Sequence, residues 1–441
     1  MLGGHYCIVY LCNHGNNNKS IYIINSNYLT KMKKQLTTTC IAAFTLFAFT
    51  SCSDDGYTVT NRPIPPLIKI ELTEAEHQQV QANNDFALNL SREVLQQNHE
   101  RNCLISPLSA TYVLAMLENG SANETQQQIL NALRYDSETN MNAVCSKLIS
   151  GASKIDASTE ISIANGLFLD KPFPIKDDYI TSMKQTYGAE VKNLDFNDKQ
   201  TALKEVNRWA GDKTKGKISN IITDMPENTR MMVLNAIYFK GIWNKEFDSK
   251  KTTKETFAHA EGEKEQTDMM QIKENYLYGS FANFDMLHLA YGNNGYSMQV
   301  LLPKEGVTVE EVLAALKSSD WQETMMSMRD YEVDVQLPKF TSEYSIDMPS
   351  VLKALGMEDM FDKTKADFSR LSDKDTFVGI FKQKCTIDVN EKGTEATTAT
   401  VSTAGDTAYV VPTATFHANR PFIYIITENT TGSIYFVGTF K

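Results

Sequence analysis

From residue 72 onward the chain alternates amphipathic and apolar stretches, each with its own period. Leu72-Thr73-Glu74-Ala75-Glu76 marks a helix start, with Thr73 as N-cap and Glu76 as its capping-box partner. Val80, Phe86, Leu88, Leu90, Val94 and Leu95 supply the apolar stripe of that helix. Residues 109–117 and 124–133 predict two more helices, separated by a turn at Asn119-Gly120. Residues 161–169 alternate with period two and predict a strand. Residues 231–239 (MMVLNAIYF) are almost continuously apolar, the pattern of a strand covered on both faces. Residues 298–302 and 333–337 add strands, and residues 421–426 and 433–440 predict a closing hairpin across 429–432. Helical periods crowd the first third and strand periods the last half. The pattern therefore predicts an α+β fold, not alternating βαβ units. No internal repeat is visible.

The first seventy residues read as an address and a spacer. Met32-Lys33-Lys34 is a basic start, residues 40–49 are mostly apolar, and Thr50-Ser51-Cys52 follows. That order describes a secretory signal; the apolar part falls short of the ~20 residues a spanning helix needs. Small residues directly before a cysteine resemble the lipobox of bacterial lipoproteins, although Phe49 stands where an aliphatic residue is commoner. In that class the cysteine becomes residue one and is acylated. Ser53-Asp54-Asp55 resembles the acidic signal by which Bacteroidetes send lipoproteins to the outer surface. The expectation is a signal segment over 1–51 with its true start at Met32, and a lipid-anchored tether over 52–70. A folded body follows over 71–441. The tether carries Gly56, Pro63, Pro65 and Pro66 and no amphipathic period. The protein is then an exported outer-membrane lipoprotein, surface-exposed, that meets the membrane only through the lipid on Cys52. Plain secretion to the extracellular space is the alternative.

Composition excludes several classes. With 42% hydrophobic and 22% charged residues the chain is globular, and its net charge of -11 with no long basic run argues against nucleic acid as a partner. The seven cysteines include no CxxC pair and no zinc spacing; Cys103, Cys145 and Cys385 read as buried free thiols, with a disulfide between two of them as the alternative in an exported protein. The seven histidines belong to no HExxH, and there is no GxSxG, Walker loop or GxGxxG. No catalytic turnover, cofactor or metal is expected.

Seven sequence words, in order, carry a resemblance. They are NCLISPLS (102–109), NRW with KTKGKI (207–218), NAIYFKGIW (235–243), LLP (301–303), LPKF (337–340), NEKGTEA (390–396) and FHANRPF (416–422). Together they resemble the serpins, a family of protein protease inhibitors, over roughly residues 71–441. The resemblance implies about eight to nine helices around three β-sheets, with an exposed reactive-centre loop. It implies a monomeric suicide substrate that traps a protease as an acyl-enzyme by inserting the cut loop into its main sheet. A non-inhibitory member serving as a surface binding module is the alternative, as is a surface enzyme with no visible motif.

The loop residues agree with that implication. Thr394, Ala396, Thr398, Thr400, Ser402 and Ala404 are all small and alternate with Glu395, Thr397, Ala399, Val401, Thr403 and Gly405. Small, partly β-branched residues suit a segment that later becomes a strand. By resemblance the loop hinge comprises Glu391, Gly393, Thr394, Glu395, Ala396, Thr397, Thr398 and Ala399, with Glu391 pairing to Lys339. Ser106, Ser109 and Asn235 match a polar cluster beneath the opening sheet. Gln383 stands there where the family usually has histidine, which leaves the opening threshold open. Trp243 matches the aromatic residue at the top of the opening. Counting from Glu391 puts the reactive bond at Thr407–Ala408; counting back from Pro421 gives Tyr409 or Val410. Such residues suit elastase-, subtilisin- or chymotrypsin-like serine proteases, with papain-like cysteine proteases as a further class.

Overall fold

The computed structural model describes residues 6–10, 21–25, 66–98, 102–135, 137–260, 262–393 and 411–441. The chain divides into two units, Met1–Val59 and Thr60–Lys441. In the first, β1 (Tyr6–Tyr10) and β2 (Ile21–Asn25) pair antiparallel, with Tyr6 opposite Asn25. Their aromatic and β-branched residues favour that geometry.

The second unit begins its regular structure with α1 (Glu74–Gln97), and the capping box between Thr73 and Glu76 is present in both directions. A two-residue strand, β3 (Leu104–Ile105), leads into α2 (Pro107–Gly120), which starts on the Ser106 N-cap with proline at its first position. Every residue of α2 is buried, as its nearly unbroken apolar sequence requires. α2 runs through Asn119 and Gly120, where the sequence predicted a turn. Asn119 turns its amide back to Ala115 O at 2.7 Å, and Gly120 packs where an added Cβ would meet Leu371 Cβ at 2.9 Å. Both residues therefore serve tertiary packing, and the break comes one residue later at Ser121.

α3 (Asn123–Leu133), α4 (Glu138–Ile155), α5 (Asp177–Tyr187) and α6 (Lys199–Lys213) follow, with β4 (Glu160–Asp170) and β5 (Glu190–Leu194) among them. Then come β6 (Met231–Lys240), β7 (Thr253–Ala258), β8 (Lys264–Ser280), β9 (Phe284–Tyr291) and β10 (Tyr296–Pro303). α7 (Val309–Ala315) and α8 (Ser318–Ser327) precede β11 (Arg329–Pro338) and β12 (Phe340–Asp347). α9 (Pro349–Ala354), β13 (Val378–Val389), β14 (Thr413–His417), β15 (Phe422–Glu428) and β16 (Ile434–Phe440) complete the described chain. The nine helices are thus those of the described residues.

One sheet has five strands in the order β12-β13-β6-β4-β5. The other hydrogen-bonded network has nine, running β14-β11-β8-β9-β10-β15-β16-β3 with β7 on β8. The long β8 joins two sheets in that network. Its residues from Met269 to Tyr278 pair with β11, whereas only Leu277 to Ser280 pair with β9. Counted that way, three sheets surround the core. The main core lies between the five-stranded sheet, the helices around α2 and the closing hairpin β15–β16. A second apolar cluster lies on the opposite face of the five-stranded sheet, beneath α6.

Candidate functional site

β6 is apolar because both of its faces are covered. Met231, Val233, Ile237 and Phe239 enter the main core, while Met232, Leu234 and Ala236 join Val206, Trp209 and Ala210 of α6 in the second cluster. Asn207 ties down the chain beyond α6, accepting from Ile221 N–H at 2.8 Å and donating to Ile222 O at 2.7 Å. β13 lies beside β6 in parallel, over eight register positions. The two strands are far apart in sequence, so no short connection fixes this seam.

At the middle of the seam two amides stand opposite each other, Asn235 on β6 and Gln383 on β13. Gln383 Nε2 donates to Asn235 Oδ1 at 2.8 Å and to Ser106 O at 3.0 Å. Gln383 Oε1 accepts from Ser106 N–H at 2.9 Å. Asn235 Nδ2 donates to Ser109 Oγ and to Asn165 Oδ1. Ser106 Oγ donates to Tyr435 O at 2.7 Å and accepts from Ser109 N–H as the cap of α2. Ser106, Ser109, Asn235 and Gln383 are all fully buried. Here a buried polar group left unpaired costs about 1–3 kcal/mol, so completeness of the network matters. Glutamine serves by using both ends of its amide. A neutral imidazole, with one donor and one acceptor, makes fewer bonds in the same place.

The head of the seam is a clamp. Beyond β6, Trp243 stacks on Tyr291 with ring centroids 4.4 Å apart and 10° between planes. Its indole N–H donates to Asn390 O at 3.0 Å, and its main-chain N–H to Lys392 O at 3.0 Å. Phe247 N–H donates to Glu391 O at 2.8 Å. The turn 390–393 that follows β13 is therefore held against the end of β6. Gly393 sits at φ +130°, where an added Cβ would meet the main chain of Gly241 and lie 2.6 Å from Trp243 N. Only glycine satisfies both conditions.

Glu391 is 12% exposed; Lys339 Nζ lies 3.1 Å from its carboxylate and Thr252 Oγ1 donates to it at 2.9 Å. Burial pushes the Glu391 carboxyl up. Hydrogen bonds from its own main chain, Lys339 and Thr252, with the charge of Lys339, outweigh that and hold it below its ordinary value. Beyond the loop, β14 runs parallel to β11, and His417 Nε2 lies 3.1 Å from Asp334 Oδ2.

The structure thus brings Ser106, Ser109, Asn235 and Gln383 together at the middle of the seam, and Trp243, Lys339, Glu391 and Gly393 around its head. Thr394, Glu395, Ala396, Thr397, Thr398, Ala399, Thr407, Ala408, Tyr409 and Val410 lie outside the described residues, as does Cys52. The sequence reading missed Asn165, Thr252, Asn390 and Tyr291. An asparagine inside the apolar run of β4 was the available signal for Asn165, since a polar residue in a buried strand needs a partner. Thr252, Asn390 and Tyr291 carry no comparable mark.

Little else in the described residues suggests reaction chemistry. Cys103, Cys145 and Cys385 are buried thiols that join no disulfide among the described residues. Burial pushes the Cys145 thiol up to about 12 and raises Cys385 as well, so neither supplies a thiolate. His288 is buried against Gln299, and burial lowers its pKa. Among the described residues no group of three His, Cys, Asp or Glu side chains is placed to hold a metal.

The profile of the family described as Serpin (serine protease inhibitor) matches residues 81–441. The leukocyte elastase inhibitor of Equus caballus is 33% identical over 375 residues, which cover 82% of this chain and 98% of that protein. The thermophilic serpin tengpin in its native state superposes with a TM-score of 0.75 at 28% identity, covering 87% of this chain and 98% of that one. Arabidopsis AtSerpin1 in its native stressed conformation gives 0.75 at 26% identity, covering 83% and 98%.

Proposed function

This chain belongs to the serpin family, and from that premise we propose that it is a protease inhibitor of the suicide-substrate kind, with the β6–β13 seam as the slot that receives its cut loop. The observation that carries the reading is the direction of those two strands. β6 and β13 are parallel neighbours, and the loop leaves the C-terminal end of β13 through the tight turn at Gly393. A segment reversing there runs antiparallel to both strands at once and pairs with each. The slot is closed by a ladder of ordinary strength, by the Asn235–Gln383 clasp and by the clamp at Trp243 and Glu391.

In the proposed sequence a protease attacks the loop and becomes acylated before the freed hinge, from Thr394 onward, enters the seam. The 14 residues from Thr394 to Thr407, inserted as a strand, would carry the acylated end roughly 45 Å along the sheet. A net gain of about eight ladder bonds at ~1 kcal/mol each rivals the ~5–15 kcal/mol that holds a protease together. Pulling the protease against the far end of the body then distorts its active site before deacylation.

The name of the mammalian relatives, leukocyte elastase inhibitor, supports an elastase-like target. Threonine and alanine at the reactive bond Thr407–Ala408 suit small apolar pockets; Tyr409 or Val410 as the cut residue would shift the preference toward chymotrypsin- or subtilisin-like proteases. We assign Cys52 as the lipid anchor that displays the inhibitor on a bacterial surface, on the strength of the segment around it. The test is to mix the full chain with elastase and to look for a complex that survives SDS. Cleavage without any such complex, across elastase-, chymotrypsin- and subtilisin-like enzymes, would leave a non-inhibitory binding module.

A further inference from the structure

The last residues of the segment before the body are docked on it. Ile68 N–H donates to Ile155 O at 3.5 Å, Ile70 N–H donates to Thr430 Oγ1 at 3.2 Å, and Asn293 Nδ2 donates to Pro66 O at 3.3 Å. Two glycines make the seats. A Cβ on Gly151 of α4 would lie 2.5 Å from Ile70 Cγ1, and a Cβ on Gly295 would lie 3.3 Å from Leu67 Cδ1. The strap is lightly held, for Leu67 is 39% and Ile68 52% exposed.

Short contacts lead from this strap to the head of the seam. Asn293 Nδ2 also donates to Ile155 O at 2.8 Å, joining the strap to the end of α4. The next residue, Asp156, is buried and organises its own turn through Ser158 and Thr159. That turn presses on Gly292, where an added Cβ would collide with the Asp156 carboxylate and with Ser158 Oγ. Gly292 N–H donates to Ile242 O at 2.7 Å, and Asn244 Nδ2 donates to Gly292 O at 2.8 Å. Ile242 and Trp243 in turn grip the turn 390–393.

We propose that the strap at residues 66–70 braces the head of the seam: while Leu67 and Ile70 are seated, the Asp156 turn is held against Gly292, and Ile242–Asn244 keep their hold on the hinge turn. Lifting the strap loosens that hold and makes the seam easier to open. The tether then does more than connect the body to whatever precedes it, because tension or cleavage within it reaches the hinge. A contact path alone is spatial evidence; what makes coupling physical is one element biased from both ends. Here that element is the 241–244 segment. Its importance for inhibition rests on the trapping mechanism proposed above. Its dependence on the strap does not, and can be read on uncut protein.

The experiment is hydrogen exchange on the full, uncut chain carrying Leu67→Ala with Ile70→Ala, and separately on Gly151→Ala. The second variant evicts Ile70 from the other side. It also replaces a glycine inside a helix, which by propensity alone leaves the fold as stable or more so. Both variants are expected to speed exchange of the amides of Ile242, Trp243 and Gly393 by about tenfold, the size of an ordinary small destabilisation. The amides of β15 and β16 serve as an unchanged internal reference. Faster exchange confined to residues 66–70 and 151–156, or no change at the seam head in Gly151→Ala, overturns the proposal. Neither result depends on whether the chain traps a protease.

Discussion

Cutting the loop should make this protein more stable, the reverse of what nicking an ordinary exposed loop does. The perturbation is a single cleavage near Thr407 by a protease that is then removed. The magnitude follows from the seam. β6 and β13 pair over eight register positions, so opening them forfeits about eight ladder bonds. A strand between them makes about eight on each side, a net gain near eight bonds, or ~8 kcal/mol at ~1 kcal/mol each. Antiparallel pairing on both sides replaces one parallel pairing, which adds slightly to the gain. The compact unit Thr60–Lys441 unfolds with an entropy near ~0.8 kcal/mol/K at about 2.1 cal/mol/K per residue, so ~8 kcal/mol raises the melting temperature by about 10 °C. The assay is a thermal melt of intact and nicked chain, with the cut fixed by mass spectrometry. A nicked form melting at or below the intact one would mean that the loop stays out of the sheet, and the trapping mechanism would fall.

Four further outcomes are expected. Thr394→Arg should be cleaved at the wild-type rate yet leave no SDS-stable complex, because the charge must pass unpaired into the sheet; gel analysis after mixing with elastase checks this, and undiminished trapping refutes it. Gln383→Ala strands Ser106 N–H, Ser106 O and Asn235 Oδ1 in a buried site, so urea melts should show a loss of about 2–4 kcal/mol in the uncut form. The Glu391 carboxyl has its pKa lowered on folding, so its contribution is present above the ordinary carboxylate value and lost as pH falls below that value through the lowered one. Glu391→Gln should accordingly flatten the acid limb of stability against pH, and an unchanged limb would remove the pairing with Lys339 from the account. Cys52→Ala should release the protein from membranes and abolish labelling by palmitate analogues; continued labelling refutes the anchor.

The local chemistry of the chain was legible in advance where one element decides it. The capping box at Thr73 and Glu76, the strand at Ile161–Leu169 and the doubly covered strand of β6 follow from period and residue type, which act over a few residues. The turn expected at Asn119-Gly120 failed for the complementary reason. Those residues pack against Ala115, Asn142, Tyr179 and Leu371, and α2 absorbs them because the core needs a small residue and an amide there. Local propensity yields when distant neighbours supply the hydrogen bonds.

The same division holds at the site. The sequence alone determined which residues are small, which are polar inside apolar strands, and which words stand in serpin order. Through that resemblance it could name Ser106, Ser109, Asn235, Gln383 and Trp243, and the Lys339–Glu391 pair, without the hydrogen bonds that join them. Only the tertiary structure decided that Asn235 and Gln383 face each other across two parallel strands, because register between strands 148 residues apart is set by packing on both faces of the sheet. It alone showed that Gly393 lacks room for a side chain, since the obstacle is main chain from residues 241 and 243. And it alone joined the strap at residues 66–70 to the seam head, through Ile155 and Gly292, contacts that no local period encodes.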